Sequence, residues 1–249
     1  YETPMGKQAQ LDWKESIPFI LSSGEIIEVN IFVLLLSYSR FRVYRVSLSK
    51  TQDILFSFLD DAFETLGGIP DEIVTDNMKT VMDEARTEYY AGKVNNKFQQ
   101  FADDYGFKVQ PCISGHPHTK AKVEAPMKIL DEIRAYNGKL NYIELVELVT
   151  RINNRVNTQV NQGTGRIPLM YYNKEKAFLN SLPADNIRKP YQITTNTVKV
   201  NHSSMFNYKS CQYSVPPEYI DKIVSLQVYD GYIPVSYTHL RAHETRHDL

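Results

Sequence analysis

The chain has 249 residues, of which 42% are hydrophobic and 23% charged, and its formal net charge is −1. These figures exclude wholesale disorder, fibrous architectures and a global electrostatic pull toward nucleic acid, so DNA or RNA contact would have to come from local patches. The longest apolar run, residues 31–36, is far short of the roughly 20 residues that cross a bilayer, and Cys112 and Cys211 are too few for a disulfide framework or a four-thiolate zinc site. With no charged-then-apolar leader, a reducing cytoplasm and no membrane are expected, and the start at Tyr1 reads as a piece of a longer chain.

Strand patterns come first. Residues 9–14 form a short, partly alternating strand, residues 26–37 a long apolar one of the kind covered on both faces, and residues 41–47 an alternating one after a hairpin turn at 37–40. Thr51 is positioned to N-cap a helix whose apolar stripe runs Ile54, Leu55, Phe58, Leu59, Ala62, Phe63 and Leu66 and stops at Gly67-Gly68. A strand at 72–76, a helix at 93–105, a strand at 107–110 and helices at 120–136 and 142–156 follow. The order β-β-β-α-β-α-β-α-α predicts an α/β mixed sheet with flanking helices, the layout of the ribonuclease-H-like fold.

After residue 157 a polar stretch leads to a short helix near 169–182. From about Asp185 the texture becomes β-rich, with turn residues every eight to twelve positions, which predicts a small all-β barrel. The expected division is a catalytic domain at 1–157, a linker with a short helix at 158–184 and a truncated barrel at 185–234. Residues 235–249 hold three of the six histidines, His239, His243 and His247, without strand alternation or a helical apolar face. They resemble the translation of a sequencing-library adapter, so the natural sequence is expected to stop near Pro234.

Three acidic residues stand where such a fold would use them. Asp12 lies mid-strand between Leu11 and Trp13, where a carboxylate is costly to desolvate unless a cation or donor compensates it. Asp76 ends a later strand, where open α/β sheets place ligands, and Glu124 opens a helix. If the first strand is central and the fourth pairs beside it, Asp12 and Asp76 become neighbours. Three hard carboxylates suit Mg²⁺ or Mn²⁺, and two such ions can drive in-line phosphoryl transfer. Singly, each residue is as readily a strand-end turn or a helix-dipole partner; the ordered set carries the signal.

Gln8-Ala-Gln-Leu-Asp-Trp13, Val74-Thr-Asp-Asn77 and His116-Pro-His-Thr-Lys-Ala-Lys-Val-Glu124 together resemble the catalytic core of Asp-Asp-Glu (DDE) transposases and retroviral-type integrases. The likeness is strongest to the IstA-like transposases of bacterial insertion sequences, because Asp76 and Glu124 are 48 positions apart, longer than in typical integrases, and because of the run before the glutamate. It covers roughly residues 5–234, with Tyr213-Ser-Val-Pro216 resembling the family's barrel signature. Ala121 and Ala125 depart from its usual Gly and Arg.

The resemblance implies cleavage at transposon ends and strand transfer into target DNA, with Asp12 bridging two Mg²⁺ or Mn²⁺ ions while Asp76 and Glu124 each hold one. It also implies a bacterial cytoplasmic setting, a homo-oligomer on transposon-end and target DNA, and an AAA+ ATPase helper. Lys120, Lys122 and Lys128 are candidate phosphate contacts or a solvated face. His116 and His118 are candidate DNA contacts or loop hydrogen bonds, more readily than metal ligands, and Asn77 either orients substrate or a metal-bound water or shapes a turn. Two other functions compete: an inactive ribonuclease-H-like module that binds DNA or a helper, and a structure-selective nuclease, which would not need a barrel.

Overall fold

The computed structural model describes residues 3–113, 130–193, 195–208, 210–227 and 235–236. The chain forms two compact units, Tyr1–Gln192 and Ile193–Leu249.

The first unit is built on a five-stranded sheet. Strands β1 (Gln8–Ile20), β2 (Ile26–Leu36) and β3 (Arg42–Ser47) form an antiparallel meander, and β4 (Glu72–Thr75) and β7 (Lys108–Pro111) extend it in parallel, giving the order β3-β2-β1-β4-β7. The central place expected for the first strand is therefore observed. Between β4 and β7 lie a small hairpin, β5 (Met82–Glu84) with β6 (Lys93–Val94), and helix α2 (Asn96–Tyr105). Residues 93–94, expected as the start of that helix, belong instead to the hairpin, because the Asn95 side chain accepts from the N–H groups of Lys97 and Phe98 and starts the helix there.

Side-chain period decides which helix covers which face. Helix α1 (Gln52–Leu66) and α2 take one face through Phe58, Phe63, Phe98 and Phe101, with Phe32 of β2 centred 5.1 Å from Phe58. Helix α3 (Tyr142–Thr158) takes the other, packing Leu145, Leu148, Val149 and Ile152 on Val29, Ile31, Val33 and Leu35. Residues 29–36 of β2 are buried throughout, as its continuous apolar run requires. Strand β1 reaches Ile20, well beyond the expected residue 14, through a bulge between Lys14 and Ile17. Ser16 sits there at φ +48°, its N–H bonded to the Asn30 side chain at 3.1 Å. The bulge reverses parity, so even-numbered Asp12 and odd-numbered Ile17 and Phe19 share the α3 face.

The outer edge of β3 is covered by side chains of α3. Asn157 accepts the Arg42 N–H at 3.0 Å and donates to its carbonyl at 2.8 Å, and Asn153 accepts the Tyr44 N–H at 3.1 Å. Two asparagines four residues apart on one helix face thus satisfy an edge that would otherwise template pairing with another chain.

The segment after α3 straps itself to the sheet. Helix α4 (Pro168–Glu175) ends at Glu175, short of the expected residue 182, and a 3-10 turn over Lys176–Phe178 follows. The fully buried Glu175 carboxylate accepts the backbone N–H of Gly6 at 3.1 Å and of Ser39 at 3.0 Å. Gly6 is required there: at φ +68° an added Cβ would stand 2.3 Å from the Phe178 carbonyl oxygen. A one-turn helix, α5 (Asp185–Arg188), is then anchored to α1 by a buried Arg188–Asp60 ion pair at 2.7 Å.

In the second unit β8 (Thr195–Lys199), β11 (Ile223–Gln227) and β12 (Val235–Ser236) form one sheet, and β9 (Met205–Tyr208) with β10 (Cys211–Ser214) a hairpin. Val200, Phe206, Val215, Val224 and Leu226 make their shared core, with Phe206 and Tyr213 stacked at 5.4 Å.

Candidate active site

Asp12 and Asp76 are brought to the same place by strand register. The parallel pairing of β1 with β4 ends at Leu11 opposite Thr75, so the next residue of each chain is an aspartate. Neighbouring strands run about 4.8 Å apart. Beyond this point β4 stops, while β1 continues on β2 with Asp12 opposite Val33. The two carboxylates therefore stand where the sheet opens a notch beside its central strand, at the C-terminal end of a parallel strand, the usual ligand position of open α/β sheets.

Their surroundings differ. Asp12 is only 9% exposed, its backbone held in the middle of the sheet, and its Oδ1 accepts the Trp13 N–H at 2.9 Å. Trp13 lies on the opposite face, its ring 4.8 Å from Phe32. Asp76 is half-buried, and its Oδ1 accepts the Asn77 N–H at 2.8 Å. The register puts two carboxylates on neighbouring strand ends, and both donors are hard oxygens, so the pair fits a divalent ion such as Mg²⁺.

Asn77 lies beside them with both ends of its amide engaged: Nδ2 donates to the Cys112 carbonyl at 3.0 Å, and Oδ1 accepts the Arg86 N–H at 2.8 Å. Arg86 also donates through Nη1 to the Pro111 carbonyl at 2.9 Å. Nothing in the sequence marked Arg86, which sits in a polar loop without periodicity. Cys112 is buried, as a small hydrophobe would be. Glu124, His116, His118, Lys120, Lys122 and Lys128 lie outside the described residues, and among the described residues no three His, Cys, Asp or Glu side chains gather to hold a metal.

Residues 4–117, which span both aspartates, match the integrase core domain family. That match lies wholly within the first unit. A transposase for insertion sequence element IS232 of Bacillus thuringiensis subsp. berliner is 60% identical over 235 residues, 94% of this chain and 54% of the relative. A transposase for an IS21-like insertion sequence element of Bacteroides fragilis is 26% identical over 219 residues, 86% of this chain and 41% of that one, consistent with the IstA type. The chain spans about half the length of the curated relatives it matches. Among solved structures, a simian T-cell lymphotropic virus intasome in complex with PP2A regulatory subunit B56 gamma superposes with a TM-score of 0.54, covering 96% of this chain and 79% of that one at 16% identity. That likeness shows a shared integrase-core fold, with its mixed sheet and flanking helices. No helix among the described residues is long and apolar enough to cross a membrane.

Proposed function

We propose that this integrase core is the catalytic part of a DNA transposase, cleaving at transposon ends and joining them to target DNA. The register that sets Asp12 beside Asp76 carries this reading, together with the integrase-core match over both residues. Asp12, on the central strand, and Asp76 would hold divalent ions of the Mg²⁺ type. Glu124 supplies the third carboxylate. The chain re-enters the described fold at Leu130, fully buried on the Asp12 face, and Asp131 pairs with Lys14, two residues along β1 on that face. Glu124 and Asp131 are seven positions apart, a reach of at most about 25 Å.

Bound ions would supply the charge that activates a hydroxyl and stabilises the leaving oxygen of phosphoryl transfer. The protein's own part is placement: two carboxylates on adjacent strand positions give a fixed spacing that needs no rearrangement. Lys120, Lys122 and Lys128 contact backbone phosphates, and His116 and His118 contact DNA near the joining site. The second unit closes into a small barrel. Pairing two transposon ends requires at least two copies of the chain, and an AAA+ ATPase helper and a bacterial cytoplasm complete the setting.

Incubation with Mg²⁺ and a pre-nicked inverted-repeat end is expected to yield joined products that chelation abolishes. DNA binding without joining would favour the inactive module instead, and cleavage without joining the nuclease.

A further inference from the structure

We propose that Arg86 and Asn77 are positioning residues that clasp the ends of β4 and β7 together and thereby fix the Asp76 carboxylate. The inference rests on the assignment of Asp76 to the cation site. A turn-forming asparagine bonds its own neighbourhood, two or three residues on. Asn77 instead reaches a carbonyl 35 positions away and an N–H nine positions away. Its amide spans three chain segments: the end of β4 that carries Asp76, the end of β7 at Cys112, and the loop after β5. Its own N–H holds Asp76 Oδ1 at 2.8 Å, so the residue that ties the loops together also sets the orientation of the carboxylate.

Arg86 closes the clasp from the other side. Its backbone N–H binds the Asn77 side chain while its guanidinium binds Pro111, one residue from the Cys112 carbonyl that Asn77 uses. Beside the clasp, the Cys112 N–H bonds the Thr75 carbonyl at 2.8 Å. The Arg86 loop is itself braced. Thr87 N–H bonds the Tyr90 carbonyl at 2.9 Å, and Gly92, at φ +75°, approaches so closely that a Cβ there would lie 2.8 Å from both the Arg86 nitrogen and the Glu84 carbonyl oxygen. A built loop therefore presents Arg86 to Asn77. Groups that orient a metal ligand typically change affinity 10- to 100-fold when lost.

Titration calorimetry of Mn²⁺ into the 249-residue chain tests this apart from turnover. Asn77→Ala is expected to weaken binding at least tenfold and Arg86→Met several-fold, with Arg86→Lys closer to the parent because one N–H still reaches Pro111. Circular dichroism melts without metal identify the folded variants; if Asn77→Ala fails to fold, Arg86→Met decides. Unchanged Mn²⁺ affinity in the folded variants, with affinity lost in Asp76→Asn, overturns the clasp and leaves the site standing. Unchanged affinity in Asp76→Asn sinks the assignment of Asp76 itself.

Discussion

Asp12→Asn is expected to lower strand joining by about a thousandfold or more, equivalent to roughly 4 kcal/mol of barrier, without weakening the fold. The substitution is isosteric, and the new amide oxygen still accepts the Trp13 N–H that Asp12 accepts at 2.9 Å. What changes is the charge on a carboxylate only 9% exposed and set beside Asp76 by register. A residue kept for structure would show the reverse pattern, with stability falling and the chemistry of folded molecules intact. Joining rates with saturating Mg²⁺, set beside melting midpoints with and without it, separate the two. Without metal the Asp12→Asn midpoint is expected within a few degrees of the parent, and the upward shift that Mg²⁺ gives the parent is expected to be lost.

The largest stability effect is expected at Asp60. Its carboxylate accepts from Arg188 at 2.7 and 3.2 Å, from the Tyr105 hydroxyl at 2.7 Å and from Gln192 at 2.8 Å, with both charged side chains nearly inaccessible. Asp60→Ala leaves the buried Arg188 guanidinium with the exposed Glu64, at 3.0 Å, and Asp185, at 3.9 Å, in place of its buried partner, and breaking a buried pair in this way costs about 3–5 kcal/mol. For a domain of this size that is a fall in melting midpoint of roughly 6–20 °C. Replacing both partners, Asp60→Leu with Arg188→Met, is expected to cost less than Asp60→Ala alone, because no buried charge then loses its buried partner.

The pH dependence has a defined sign. Burial by itself would raise the Asp60 pKa, but the bonds from Arg188, Tyr105 and Gln192 outweigh it and hold the carboxyl below the ordinary aspartate range. A depressed carboxylate pKa stabilises the fold above the unfolded value, near 4, and that contribution is lost as pH falls through the folded value. Denaturant melts of parent and Asp60→Asn should therefore differ fully at neutral pH and converge in acid below about pH 4.

Much of the sheet was legible because its signals are local. The buried run of β2 and the apolar stripe of α1 each follow one side-chain period, and from their order the central place of β1 and the neighbouring of Asp12 and Asp76 could be read. Where the period broke, the reading failed. The alternation of β1 reverses at a bulge formed by a non-glycine residue at positive φ and an asparagine fourteen positions on, so the pattern readable in the sequence stops at Lys14. Features made by distant partners left no trace in any window. The Asn157 cap on β3 spans 115 positions and the Arg188–Asp60 pair 128. Arg86 belongs to the same class: its place beside Asn77 comes from the β5–β6 hairpin, whose two short strands carry no periodic signal.

Asp12 and Asp76 are proposed to share one divalent-cation site that Glu124 completes. Anomalous scattering from a crystal of the chain grown with Mn²⁺ tests it most directly. A peak is expected at the open end of β4 with carboxylate oxygens of both aspartates about 2.1 Å away and Glu124 beside them. Aspartate carboxylates turned to opposite faces of the sheet, with manganese bound elsewhere or by one of them alone, would contradict it.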